Sequence, residues 1–181
     1  MWEFYSARRA AAQQAQPNPA HFALAQLEQR LGDRFFLCTQ NVDDLHERAG
    51  SARLVHMHGE LAKSRCEGDC GRPPVEDHVV YRTLDEVPRC ICNARMRPHI
   101  VFFGEIPLEM DRIQREIERA TLLLVVGTSG SVYPAANFVH WARVAGARTV
   151  YVGPEPPLNA AAFTHIVEGR AGETLPGLFA D

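Results

Sequence analysis

The period of the hydrophobic positions changes several times along the chain, and each change marks an element. An Ala-, Arg- and Gln-rich run from Trp2 to Gln16 predicts a helix, which Pro17-Asn18-Pro19 ends because prolines cannot continue it. A second helix is expected with Asn18 as its cap and Pro19 at its first position, carrying Phe22, Leu24, Ala25, Leu27 and Leu31 before Gly32 stops it. Phe35 to Cys38 then reads as a short strand that breaks into the polar cluster Thr39-Gln40-Asn41-Val42-Asp43-Asp44. A helix-like Leu45 to Ala49 is closed by Gly50, and Leu54 to Gly59 returns as an extended run. From Glu60 to Pro98 the chain is polar with little periodicity, which reads as an insertion. Beyond it, Ile100 to Phe103 predicts a buried strand and Asp111 to Ala120 an amphipathic helix with Ile113 and Ile117 four apart. Leu122 to Val126 predicts a second buried strand ending in Gly127-Thr128-Ser129-Gly130-Ser131. A helix from about 135 to 145, a strand Thr149 to Val152, a Pro-rich turn and a short strand around His165 to Val167 complete the pattern. Continuous apolar strands alternating with helices imply an α/β fold, a parallel sheet covered on both faces.

Composition narrows the partners. At 181 residues the chain is one domain long, with room for a small insertion. A net charge of −3, with arginines and acids mixed throughout, argues against nucleic acid as a partner. No apolar run approaches the roughly 20 residues that span a bilayer, and Met1 precedes Trp2-Glu3-Phe4-Tyr5 rather than a basic segment and an apolar signal. The expectation is therefore no membrane partner and a cytoplasmic location. Five cysteines, four of them clustered, fit a metal site in a reducing compartment better than a disulfide framework.

The candidate chemistry sits at element ends. Cys66-x3-Cys70 and Cys90-x-Cys92 are two close pairs in a segment too polar to build its own core, as expected of four thiolates around a structural zinc with no open position. The Gly127 to Ser131 turn follows a strand and precedes a helix, where backbone N–H groups and hydroxyls can hold a ribose or phosphate; an ordinary βα turn has the same composition. Thr39-Gln40-Asn41 should end a neighbouring strand on the same edge, so the two polar ends suggest one cleft. His56 and His58, two apart in an extended run, should share a face, and either is a general-base candidate or a structural histidine. Asp43 and Asp44 equally suit a helix cap. Tyr5 shares a helical face with Arg8 or Arg9, a pairing that can grip a carboxylate or be a solvated face.

Taken together these residues resemble the sirtuins, NAD-dependent protein lysine deacylases, from one end of the chain to the other. Thr39-Gln40-Asn41-Val42-Asp43 resembles the family's TQNID, His58-Gly59 its catalytic HG, the four cysteines its zinc ribbon, Val101-Phe102-Phe103-Gly104-Glu105 its substrate strand and Gly127-Thr128-Ser129 its ribose-binding turn. Tyr5-Ser6-Ala7-Arg8 resembles the Y-x-x-R of the desuccinylase-type bacterial and mitochondrial branch and singles out Arg8 over Arg9.

The resemblance implies a Rossmann-like parallel sheet (residues 18–60 and 98–181), a zinc-ribbon insertion (61–97) and a helical remnant carrying YxxR (1–17). It implies removal of succinyl, malonyl or acetyl groups from protein lysines, with NAD as cofactor, structural zinc, and acylated-lysine proteins as partners; the products are nicotinamide and O-acyl-ADP-ribose. His58 would be the base on a ribose hydroxyl. Gln40, Asn41 and Asp43 would line the nicotinamide and ribose pocket, and Gly127, Thr128 and Ser129 would meet the adenosine ribose. Val101 would accept the substrate amide proton, and the peptide would add as a strand between Phe103-Gly104-Glu105 and Gly130 to Val132. Tyr5 and Arg8 would select acidic acyl groups.

Two departures from the family accompany the match. The family's N-terminal strand and Gly-rich GAG-x-S turn have no counterpart before the YxxR helix, so the sheet is expected to be incomplete, its first βα unit absent. Gly153 stands where an asparagine commonly holds the adenosine ribose. The alternative reading is a truncated sirtuin scaffold that binds zinc and acyl-peptide without turning over NAD. A nicotinamide-dependent dehydrogenase is disfavoured, since no G-x-G-x-x-G follows any predicted strand.

Overall fold

Helix breaks fall where the prolines put them. In the computed structural model, which describes residues 1–68 and 70–180, α1 spans Trp2–Gln14 and α2 spans Pro19–Leu31. The Asn18 side chain accepts from the N–H groups of Ala20 (2.9 Å) and His21 (3.4 Å), and the Asn18 N–H donates back to His21 Nδ1 at 3.2 Å. This reciprocal cap, with histidine in the place usually taken by glutamate, is worth about 1 kcal/mol. The chain forms two compact units, residues 1–17 with 37–108, and residues 18–36 with 109–181.

In the first unit the parallel pair β1 (Leu37–Thr39) and β2 (Leu54–His56) flanks the short helix α3 (Leu45–Arg48). The polar segment beyond them is more regular than its composition predicts. β3 (Gly59–Cys66) pairs antiparallel with both β4 (Val75–Glu76) and β5 (Met96–Ile100), in the order β4-β3-β5. Two expectations are corrected here. His56 and His58 are not on one extended run, because β2 ends at His56 and a turn at Met57-His58 leads into β3. The strand expected at Ile100 to Phe103 instead ends at Ile100, and Phe103 is fully exposed. Backbone pairing with β3 outranks the apolar run, since β5 buries Met96, Pro98 and Ile100 in alternation. α1 packs on β3 and β5, where Trp2, Tyr81, Val87 and Met96 form a small apolar cluster with Cys66 and Cys90 against it. Trp2 Nε1 donates to the Met96 carbonyl at 3.0 Å.

The second unit holds a parallel sheet, β6 (Leu122–Val126), β7 (Arg148–Gly153) and β8 (His165–Glu168), in that order. Parallel strands were expected, and they occur in two separate sheets among the described residues. The middle strand β7 is buried at Thr149, Tyr151 and Val152, whereas β6 is only half covered, with Leu122 half exposed. α4 (Met110–Arg119) buries Ile113 and Ile117, as their spacing predicts; each contributes about 1.5–3 kcal/mol. α5 (Phe138–Val144) follows a 3₁₀ turn. A further helix, α6 (Ala171–Leu178), lies beyond the elements predicted from the sequence and holds Pro176 inside it; it packs on α2 and buries Leu175 completely. No helix among the described residues is long and apolar enough to cross a membrane.

Candidate functional site

The polar loop after β1 is held by its own backbone and by two histidines. Thr39, buried at the strand end, accepts the Asn41 N–H on its hydroxyl at 3.0 Å, and the Thr39 carbonyl accepts the Met57 N–H at 3.1 Å. Asp43 accepts the Leu45 N–H at 3.2 Å and so starts α3, while Asp44 pairs with Arg48. Asp44 thus occupies the cap position of α3 without a side-chain cap bond, and the Asp43 carboxylate just before it takes the first helical N–H. Gln40, Asn41 and Asp43 all lie on this loop, with Asn41 exposed and the other two half-buried.

The two histidines have different surroundings. His56 is buried, its Nε2 2.6 Å from a Glu47 carboxylate oxygen and its Nδ1 3.2 Å from the Asn41 carbonyl. His58 is half-buried, and among the described residues its ring makes one bond, Nδ1 to the Gln40 carbonyl at 3.1 Å. Because a carbonyl only accepts, Nδ1 of His58 carries the proton and Nε2 is left with its lone pair in the neutral ring. Gly59 follows at φ +88°, and a Cβ there would collide with the His99 carbonyl. Glycine is thus required to let β3 approach β5 directly behind His58.

The 101–108 segment is tied to the same turn. The Val101 N–H donates to the His58 carbonyl and the Leu108 N–H to the Met57 carbonyl, both at 2.9 Å. Glu105 is engaged rather than free: Arg97 grips it at 2.6 and 3.2 Å, Arg65 lies at 3.0 Å, and the Phe102 N–H donates to it at 2.9 Å. The hydrogen bond from Arg97 pulls the Glu105 carboxyl down to about 2. Arg97 also stacks over Phe102 at 3.8 Å. Phe103 and Gly104 stand exposed on the loop that this clamp shapes.

On α1 the two arginines separate. Arg9 is buried, ion-paired to Asp77 at 3.2 Å, bonded to the Leu61 carbonyl at 2.8 Å and to the Val79 carbonyl, with its guanidinium 5.5 Å from the Trp2 ring and 6.0 Å from the Tyr81 ring. Ser64 and Tyr81 both donate to Asp77, and burial beside that carboxylate pushes the Tyr81 phenol up to about 12. Arg8 is exposed, over the Phe4 ring, and Tyr5 stacks on Phe102 at 5.7 Å. Of the two arginines considered, only Arg8 is available to a ligand.

In the second unit, β6 ends at Val126, and Gly127 follows at φ +66° with open space where a Cβ would stand. The Ser129 and Ser131 hydroxyls are exposed and 2.6 Å apart, Thr128 is half-buried, and Asn159 fills the space a side chain at Gly130 would need. Val132 is exposed. The turn has the open backbone and hydroxyls that a ribose requires. At Gly153 the Tyr151 phenol lies across the position of a Cβ, so no side chain fits there as the strand stands.

The cysteines converge. Cys66 and Cys92 sulfurs are 3.4 Å apart, Cys70 and Cys90 sulfurs 3.6 Å, and all four lie within 4.8 Å of one another. Four sulfurs set tetrahedrally at Zn–S bonds of roughly 2.3 Å would be separated by about 3.8 Å, so the set fits a zinc ion with no position left for a substrate. The backbone N–H of Cys92 helps to hold the Cys90 thiol down to about 7. Cys38, by contrast, is pushed up to about 12 by burial and is an inert core thiol. The purified chain is expected to carry one zinc per molecule by atomic absorption; a content well below one would refute the site.

Spacing along the sequence gave no sign of Glu47, Arg65, Arg97 or Asp77. Each acts on a partner brought to it by strand pairing or a turn, so only the folded chain shows it.

Comparison with known proteins identifies the family. Residues 1–134 match the family model described as the Sir2 family. The chain is 49% identical over 177 residues to an NAD-dependent protein deacylase of Caulobacter vibrioides, covering 96% of this chain and 74% of that protein. It is 46% identical over 180 residues to the one of Escherichia coli K12, covering 96% of this chain and 62% of that protein. Among solved structures, a Sir2 homologue in complex with NAD superposes with a TM-score of 0.89 at 37% identity, over 98% of this chain and 69% of that one. Sir2 bound to an acetylated peptide superposes at 0.83 and 32% identity, over 93% and 71%. By the extent of these matches and the order of its motifs, this chain belongs to the Sir2 family.

Proposed function

We propose that the chain carries the catalytic part of an NAD-dependent protein lysine deacylase that favours acidic acyl groups and works in the cytoplasm. The observation that carries this reading is His58, whose protonated Nδ1 is anchored on Gln40 beside the polar loop of β1, in a chain 46–49% identical to proteins named as such deacylases. NAD, when bound, would supply an electrophilic ribose carbon open to attack by the acyl-lysine oxygen, with nicotinamide as the leaving group. The chain's own residues then have separable tasks. His58 Nε2 takes the proton of a ribose hydroxyl, and its tautomer is already set by Gln40. Gln40, Asn41 and Asp43 offer amide and carboxylate groups to the nicotinamide and its ribose, and Gly127, Thr128 and Ser129 offer backbone and hydroxyl groups to the adenosine ribose.

The Val101 N–H is used within the fold, which leaves its carbonyl to accept the substrate amide proton. Phe103 and Gly104, on the loop fixed by Glu105, present backbone for an added strand, as Gly130 to Val132 do in the other unit. Arg8 and Tyr5 grip a terminal carboxylate on the acyl chain. Four reduced thiols at a zinc site suit a reducing compartment. Zinc held by Cys66, Cys70, Cys90 and Cys92 would tie the end of β3 to the segment before β5 and take no part in the reaction.

The test is turnover of matched succinyl- and acetyl-lysine peptides with and without NAD. Loss of acyl groups only with NAD is expected, and NAD-independent or absent turnover overturns the proposal. Arg8→Met should lower the succinyl-to-acetyl ratio of kcat/KM by roughly 10- to 100-fold, the worth of a charge-assisted bond. An unchanged ratio would remove Arg8 as the selector.

A further inference from the structure

His56 has a role that the proposed reaction leaves unused. Both of its ring nitrogens face atoms that only accept hydrogen bonds: the Asn41 carbonyl at Nδ1 and the Glu47 carboxylate at Nε2. A neutral imidazole has one N–H and satisfies one of them; only the imidazolium satisfies both. We infer that His56 is a fixed imidazolium that positions the Gln40–Asn41 loop, and that its deprotonation loosens the loop and weakens NAD binding. This inference rests on the deacylase reading for its consequence and on the ring geometry for its cause.

The surroundings agree. His56 is raised from its ordinary value despite the opposing effect of burial, because Glu47 bonds to it, the Asn41 carbonyl accepts from it and Glu60 adds negative charge nearby. Glu47 is lowered in turn, against burial, by its bond to His56 and by the nearby His46. The charged groups facing the ring come from two elements, Glu47 on α3 and Glu60 on β3, and Glu60 is itself paired with Lys63 at 2.8 Å. His56 and His58 hold adjacent carbonyls, those of Asn41 and Gln40. One histidine thus fixes the loop by charge, and the other shares that loop as its anchor.

The sign follows from the two directions. The stability His56 contributes is complete below its unfolded value and is lost as pH rises through its raised folded value, which lies above the usual histidine range near 6.5. The contribution of Glu47 is present above the ordinary carboxylate range and is lost as pH falls through its lowered value. The loop is therefore firmest between those limits.

Two measurements test the idea. Long-range ¹⁵N–¹H spectra of the imidazoles in the full chain at pH 7 should show both nitrogens of His56 protonated, and Glu47→Gln should return the ring toward an ordinary titration. A neutral single tautomer at pH 7 overturns the inference whether or not the chain turns over NAD. With deacylation established, KM for NAD should rise several-fold as His56 deprotonates, with kcat changing less. His56→Gln, which keeps one donor, should show the high KM at all pH values, with a flat profile. Identical profiles in the two proteins would overturn the positioning role while leaving the deacylase reading intact.

Discussion

Alanine at position 58 is expected to reduce NAD-dependent deacylation by two to four orders of magnitude while leaving the fold in place. The structural loss is small, because among the described residues the His58 ring bonds to Gln40 alone, its backbone bond to Val101 survives the substitution, and the loop is also held by Thr39 and His56. One hydrogen bond of this kind is worth about 1 kcal/mol. His58→Asn is the sharper comparison, since its amide can still donate to Gln40 yet has no basic nitrogen. Both variants should keep the circular dichroism of the parent and lose turnover together. Turnover by either one at near-parent rates would mean that the proton goes elsewhere.

Arg9→Met should have the opposite profile, destabilising the chain by about 3–5 kcal/mol, the cost of breaking a buried pair and stranding its partner. The stranded partner is Asp77, which would keep only its bonds from Ser64, Tyr81 and the Val79 N–H. The carbonyls of Leu61 and Val79 would lose their donor at the same time. Urea denaturation measures the loss, and Arg8→Met, one residue away on the exposed side of α1, is the control, within about 0.5 kcal/mol of the parent. If the two arginines behaved alike in stability, the division between a structural and a ligand-facing arginine would fail. With Arg9→Met destabilised and Arg8→Met altered only in acyl choice, one helix carries both functions on different faces.

The sequence was most legible where a local rule acts alone. Asn18-Pro19 set the start of α2, the four-residue step of Ile113 and Ile117 set the buried face of α4, and the cysteine pairs announced their cluster. It was least legible where pairing across the chain decides. β3 and β5 satisfy each other's backbone groups, so a segment with little apolar periodicity becomes a sheet, and the apolar Val101-Phe102-Phe103 run falls outside the strand, half-buried at Val101 and Phe102 and exposed at Phe103. Phe22, one of the apolar residues expected on α2, is nearly half exposed, because Ala20, Ala23, Leu24 and Ala25 form the face that packs. Of the candidate site, the loop residues and both histidines could be named from motif and position. Their difference in bonding needed the turn at Met57, which no spacing rule predicts.

The phenol of Tyr151 lying over Gly153 ties the fates of two positions two residues apart on β7. An asparagine introduced at 153 alone meets an occupied volume, and Tyr151 packs edge-on against Phe163 at 5.5 Å, so it cannot swing aside without giving up that contact. The order of replacement then matters. A smaller residue at 151 opens the way for a side chain at 153, whereas the reverse order passes through an overpacked strand. Introducing a side chain at 153 therefore calls for a smaller residue at 151 first, and removing it calls for the reverse order.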